Sequence, residues 1–144
     1  MRAKPIPEGY HSVTPYLAVE GASRLIDFLK HTFGAEVREH IPGENGSVRH
    51  AEVMIGNSMV MLGDATCEAG PRPGNLYVYV EDTDATYRRA LEAGAESIRE
   101  PADQFYGDRS AGVKDPFGNH WWIATHIEDV APEEIARRAA AAKH

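Results

Sequence analysis

Apolar positions recur along the chain with two periods, and the order of those periods repeats. Residues 13–19, VTPYLAV, are rich in β-formers and predict a strand, with Pro15 suggesting an edge or an end. Ala22, Leu25, Ile26, Phe28, Leu29 and Phe33 fall at helical spacing between Gly21 and Phe33, and Gly34 follows as a C-cap. Residues 35–41 predict a strand, PGENGS (42–47) a turn with an Asn45-Gly46 signal, and 48–55 and 58–64 a hairpin across Gly56-Asn57. A linker over 67–74 holds Gly70, Pro71, Pro73 and Gly74. The order then starts again. Residues 75–81 predict a strand, and a helix capped by Asp82 or Thr83 runs to Leu91–Ala93 before Gly94. Strands are expected over 95–100, 109–115 and 120–127, with 101–108 as a loop. Pro132 opens a last helix, EEIARRAAAAK.

The repeat is visible in the residues themselves. Gly34-Ala35-Glu36 after the first helix echoes Gly94-Ala95-Glu96 after the second. Val19-Glu20 echoes Val80-Glu81, and Gly56-Asn57 echoes Gly118-Asn119. Three echoes in one order favour two copies of a strand–helix–three-strand unit. The fold class is therefore α+β: two βαβββ modules, about 12–66 and 75–127, forming curved mixed sheets around a cavity. A C-terminal helix over about 132–143 completes a single domain of 1–144.

Composition narrows the partners. The 144 residues include 15 Lys+Arg and 22 Asp+Glu, a net charge of -7, and 42% hydrophobic residues, an ordinary globular balance. A net acidic chain without a basic block does not suit nucleic acid or an anionic membrane surface. No apolar run approaches the roughly 20 residues of a membrane helix. Cys67 is the only cysteine, which excludes an internal disulfide and a Cys-based zinc site and suits a reducing cytoplasm. The N-terminal residues lack an apolar h-region, so no signal peptide is expected.

Gly-Ala after each helix and Asp115-Pro116-Phe117-Gly118 before the last strand resemble the vicinal oxygen chelate superfamily, which includes glyoxalase I, extradiol dioxygenases and fosfomycin- and bleomycin-resistance proteins. The segments PIPEGYHSVTPYLAV, HAEVMIGNSMVML, DQFYGDRSAGVKDPFGNHWWIATHIEDV and PEEIARR look closest to its PhnB-like branch. The resemblance covers nearly the whole chain. It implies a divalent metal held by His, Gln or Glu on the first and last strand of each module. Those positions fall here on Thr14, on Val60 or Met61, on Asn75 and on Trp122. None is a His or a carboxylate, whereas a catalytic site needs about three strong protein ligands. No metal or other cofactor is expected, and no catalytic residue is assigned.

Strand alternation then sorts the side chains. If the former ligand positions face the cavity, so do Tyr16, Tyr77, Tyr79, His120, Trp122 and His126, while Trp121 and Ile123 meet a helix. On the 50–62 hairpin, an aliphatic set of Ala51, Val53, Ile55, Val60 and Leu62 suits the helix and turns His50 and Glu52 inward. Literal alignment of the repeat puts Val60 at the ligand position instead and turns them outward. The candidate ligand-binding set is His50, Glu52, Tyr77, Tyr79, His120 and Trp122. Tyr77, Tyr79 and Trp122 offer a stacking wall for a planar or cationic ligand, and serve equally as core aromatics. Arg109 is a candidate anion clamp or a structural ion pair.

Three functions stay open. The first is a metal-independent small-molecule binder resembling the bleomycin-resistance proteins. The second is a metal-dependent lyase or dioxygenase-like enzyme using displaced ligands among His50, Glu52, His120 and His126. The third is an interaction protein with a vestigial pocket. A homodimer is expected, because a proline-containing linker favours exchange of modules between chains.

Overall fold

The computed structural model describes residues 3–66 and 70–142. Cys67 and the start of the predicted linker lie outside the described residues. The chain divides into two compact units, one comprising residues up to Gly74 with Pro116–Asn119, the other Asn75–Asp115 with the residues from His120 onward.

In the first unit, β1 (Tyr16–Val19), α1 (Ala22–Phe33), β2 (Glu36–Pro42), β3 (Val48–Ile55) and β4 (Ser58–Asp64) build a four-stranded sheet of order β1-β4-β3-β2. The parallel pair β1/β4 sits beside antiparallel β4/β3 and β3/β2 pairs. The first strand is shorter than the predicted one because Pro15 has no N–H to give; its carbonyl still accepts from the Met61 amide at 2.9 Å. Helix α1 buries Ala22, Leu25, Ile26, Phe28 and Leu29 and ends on Gly34 at φ 67°, as the spacing predicts. These side chains form the core with Leu17, Val19, Ala51, Val53, Val60 and Leu62. Helix α1 has no cap of its own at Gly21. Asp64, from the end of β4, accepts the Gly21 and Ala22 amides at 2.9 and 3.0 Å and the Val48 amide at 2.7 Å. Burial works to raise the Asp64 pKa, but these amide bonds outweigh it and hold the group below the usual carboxylate range. Pro116–Asn119 counts with this unit for visible reasons. Arg24 lies 5.6 Å from the Phe117 ring centroid, and Asn119 Oδ1 accepts from the Gly74 amide at 2.7 Å.

The second unit repeats the plan with β5 (Asn75–Tyr79), α2 (Thr83–Glu92), β6 (Glu96–Asp103), β7 (Asp108–Lys114) and β8 (His120–His126), in sheet order β5-β8-β7-β6. Asp82 is the α2 cap and accepts from the Ala85 amide at 3.1 Å. Thr83 is buried instead, and its hydroxyl donates to the Arg109 carbonyl at 2.9 Å. The segment 101–108, predicted as a loop, is strand over half its length: β6 runs to Asp103 and β7 begins at Asp108, which leaves 104–107 as the turn. Pro101 is accommodated because β6 is an edge strand. Helix α3 (Pro132–Ala141) starts on proline as predicted and buries no side chain. Arg138 ties it down by donating to the Phe105 carbonyl and both Glu128 carboxylate oxygens at 3.1–3.2 Å.

Both sheets are therefore mixed, each with a helix, in the order two βαβββ modules require.

Candidate functional site

Each sheet has a helix-covered face and a far face, and every predicted site residue lies on a far face. In the first unit Glu52 is in register with Met61 while Val53 is in register with Val60, and Val53 and Val60 are buried with α1. The aliphatic set thus takes the helix side, which turns His50 and Glu52 to the far face. His50 Nε2 lies 2.8 Å from Glu52 Oε2, and His50 Nδ1 lies 3.3 Å from the Tyr16 hydroxyl. Tyr10 donates its phenol to Glu52 Oε1. The N-terminal arm therefore lies across this face, where a Cβ on Gly9 would meet Met54 Cε at 3.7 Å and Met59 Cε at 4.0 Å. Tyr10 and Tyr16 join His50 and Glu52 in one polar chain. Strand parity could place Tyr16 there; nothing in the spacing could place Tyr10.

In the second unit Asn75, Tyr77 and Tyr79 on β5 pair in parallel register with His120, Trp122 and Ala124 on β8. Trp121 is fully buried and donates its indole N–H to Asp115 Oδ2 at 2.7 Å. Trp122 is on the opposite face and donates to Asn75 Oδ1 at 2.7 Å. Gly112, in register with Trp122 on β7, gives the indole its place: a Cβ there would sit 2.4 Å from Trp122 Cζ3. The ring therefore lies across β7, and the Arg99 guanidinium carbon sits 5.2 Å from its centroid. Arg99 reaches this face because a bulge between Ser97 and Arg99 shifts the β6 register. Simple alternation does not anticipate that shift.

At the other end of the same face stands Asp108, 3% exposed. Its Oδ2 accepts the Tyr77 phenol at 2.7 Å and the Tyr79 phenol at 2.9 Å, and its Oδ1 lies 2.8 Å from His126 Nδ1. Burial works to raise the Asp108 pKa, but the hydrogen bonds from His126, Tyr77 and Tyr79 prevail and hold it below the ordinary value. Burial and then the Asp108 bond push Tyr77 upward, and the same carboxylate raises Tyr79. His126 is raised by its hydrogen bonds to Asp108 and to Asp129, the latter at 2.8 Å. Reading 101–108 as a loop hid Asp108. The tyrosine rings meet edge to face at 5.3 Å between centroids.

The geometry bears on two sequence alternatives. Arg109 is structural: its Nε and Nη2 reach Asp84 at 2.7 and 2.9 Å, and Nη1 reaches Asp103 at 3.0 Å. His120 and His126 do not share an ion, because they stand at the two ends of β8, six residues and roughly 20 Å apart at about 3.3 Å per residue. Among the described residues, no three His, Cys, Asp or Glu side chains group as metal ligands. Of the positions that the resemblance assigns to metal ligands, Asn75 and Trp122 are bonded to each other. An open groove of about 710 Å³ lies elsewhere in the first unit, between Pro42–Glu44, Ser47–Arg49 and Asp64–Thr66. Of its two carboxylates, Glu44 and Asp64, the latter is already committed to three backbone amides.

The sheet order and the paired modules agree with comparison to known proteins. Residues 10–123 match the profile of the Glyoxalase/Bleomycin resistance protein/Dioxygenase superfamily. The chain belongs to that superfamily. An uncharacterized protein of Mycobacterium bovis, Mb0911c, is 34% identical over 135 residues, covering 86% of this chain and 89% of that relative. Among solved structures, TioX from Micromonospora sp. ML1 superposes with a TM-score of 0.68 at 26% identity, covering 81% of this chain and 99% of TioX. TnmS3, described as an antibiotic binding protein from Streptomyces sp. CB03234, gives a TM-score of 0.65 at 24% identity over 86% of this chain and 99% of its own. No helix of the described superfamily chain is long and apolar enough to cross a membrane.

Proposed function

We propose that the protein binds a small, flat, partly apolar molecule and does so without the superfamily's usual catalytic metal. The observation that carries this reading is the Trp122–Asn75 hydrogen bond at 2.7 Å. It joins two positions that the resemblance assigns to metal ligands. An indole offers one N–H donor and no acceptor for a cation. What it offers instead is a broad ring, propped flat by Gly112, next to the half-exposed ring of Tyr77. Tyr77, Tyr79, His120 and Trp122 take the ligand-contacting role in the second unit, and His50 with Glu52 is a separate polar pair on the first. The antibiotic binding protein TnmS3 shares the fold, and supports the reading by analogy only.

The finer reading is a PhnB-like, cytoplasmic homodimer. Light scattering at micromolar concentration tests the dimer, and a monomeric mass refutes it. Binding is tested by screening planar aromatics against the two indole N–H resonances. The Trp122 signal is expected to move while that of Trp121 stays. Trp122→Ala is expected to weaken a hit by about 1 kcal/mol or more, the scale of an aromatic contact beyond its buried area. A hit whose affinity ignores Trp122→Ala refutes the site.

A further inference from the structure

We propose that the far face of the β5-β8-β7-β6 sheet takes a planar aromatic carboxylate, stacked on Trp122 and clamped by Arg99. The proposal rests on the binding reading above and adds the charge of the ligand. The backbone register sets Tyr77, Trp122, Gly112 and Arg99 side by side across all four strands. Because Gly112 has no Cβ, the indole spans β7 and brings its ring to the guanidinium at 5.2 Å. One edge of that guanidinium is fixed, since Nη2 donates to the buried Ser110 hydroxyl at 2.6 Å. The second Nη2 hydrogen lies along the edge that Ser110 leaves open, beside Nη1 or Nε, a planar fork that matches two carboxylate oxygens.

The charges around Arg99 point to an anion. Arg109, Arg137 and Arg138 in the same unit each meet a carboxylate at 2.7–3.1 Å. Arg99 meets none among the described residues; its contacts are Ser110 and the indole. On the neighbouring row Lys114 is in register with Glu96, so that lysine has an acid beside it where Arg99 has glycine. The buried carboxylate of this face, Asp108, starts β7 four residues before Gly112, roughly 13 Å away at about 3.3 Å per residue. Its oxygens are taken by Tyr77, Tyr79 and His126. A cationic ligand stacked on Trp122 would lie against the guanidinium and be repelled. A single guanidinium balances one negative charge, which suits a carboxylate.

The test is calorimetric titration of the full chain with 2-naphthoate, 2-naphthamide and 2-naphthylmethylammonium, three probes with the same ring and different charge. Naphthoate is expected to bind at least tenfold more tightly than the other two. In Arg99→Gln that preference is expected to fall within threefold, and Arg99→Lys is expected to keep part of it. An unchanged Trp121 indole resonance shows that each variant is folded. If the amide or the ammonium probe binds as tightly as naphthoate, or if Arg99→Gln keeps the preference, the anion clamp is overturned while the planar-ligand reading survives. If none of the three binds the unmodified protein, both are overturned.

Discussion

Asp108→Asn is the substitution on which most of the second unit's polar geometry turns. The carboxylate is 3% exposed and receives two phenols and an imidazole. A hydrogen bond to a charged group contributes about 1.5–3 kcal/mol, so the two phenols set an upper bound of roughly 6 kcal/mol. The asparagine oxygen keeps one of them as a neutral bond, and its NH₂ replaces the charge that faced His126. His126 is half exposed, so its share is screened and discounted. The expected loss is about 2–3 kcal/mol, or roughly 5–10 °C in melting temperature for a chain of this size. The pH dependence carries a second signature. The pKa of Asp108 is lowered on folding, so its contribution is present above about pH 4 and is lost as pH falls through the folded value. The pKa of His126 is raised, so its contribution is complete below about pH 6.5 and is lost as pH rises through the folded value. Both act together between those limits. Urea unfolding across pH 3–9, with NMR titration of the His126 ring, reads both. In Asp108→Asn the His126 pKa is expected to fall toward its ordinary value, held up only by Asp129. A variant within 0.5 kcal/mol of the parent, with an unmoved His126 pKa, refutes this account of the cluster.

Trp121→Ala is expected to cost about 3–5 kcal/mol in urea unfolding, because a fully buried indole leaves a cavity and Asp115 loses a donor; a loss under 1 kcal/mol would mean the β8 parity is wrong. Gly112→Ala is expected to dislodge the Trp122 indole, shifting its N–H resonance and weakening any planar hit severalfold with the fold intact; an unmoved resonance would contradict the ring's placement. Chelator treatment is expected to leave the melting temperature nearly unchanged. A native-state metal site at 100 times its dissociation constant would add about 2.7 kcal/mol, so a large drop with stoichiometric metal would favour displaced ligands.

Local spacing determined the module plan. The α1 stripe, Gly34, the 48–64 hairpin and the Pro132 helix start are each specified by residues a few positions apart, so they were legible without tertiary contacts. The two-residue period placed Tyr77, Tyr79 and Trp122 together, because alternation follows from the pleat alone. The same rule left His50 and Glu52 undecided. Their side depended on which face of the hairpin α1 covers, and the pairing of Val53 with Val60 fixes that across strands. The remaining site residues are long-range in origin. Asp64 caps a helix that starts more than 40 residues earlier, and Tyr10 reaches Glu52 from the arm. Asp108 gathers Tyr77 and Tyr79 from about 30 residues upstream, and Arg99 meets Trp122 only because a bulge shifts its strand and a glycine clears its path. Periodicity says which face a residue takes relative to its own strand. The partner it meets there depends on strand order, register and the side chains a neighbour lacks, and those are set only when the sheet closes.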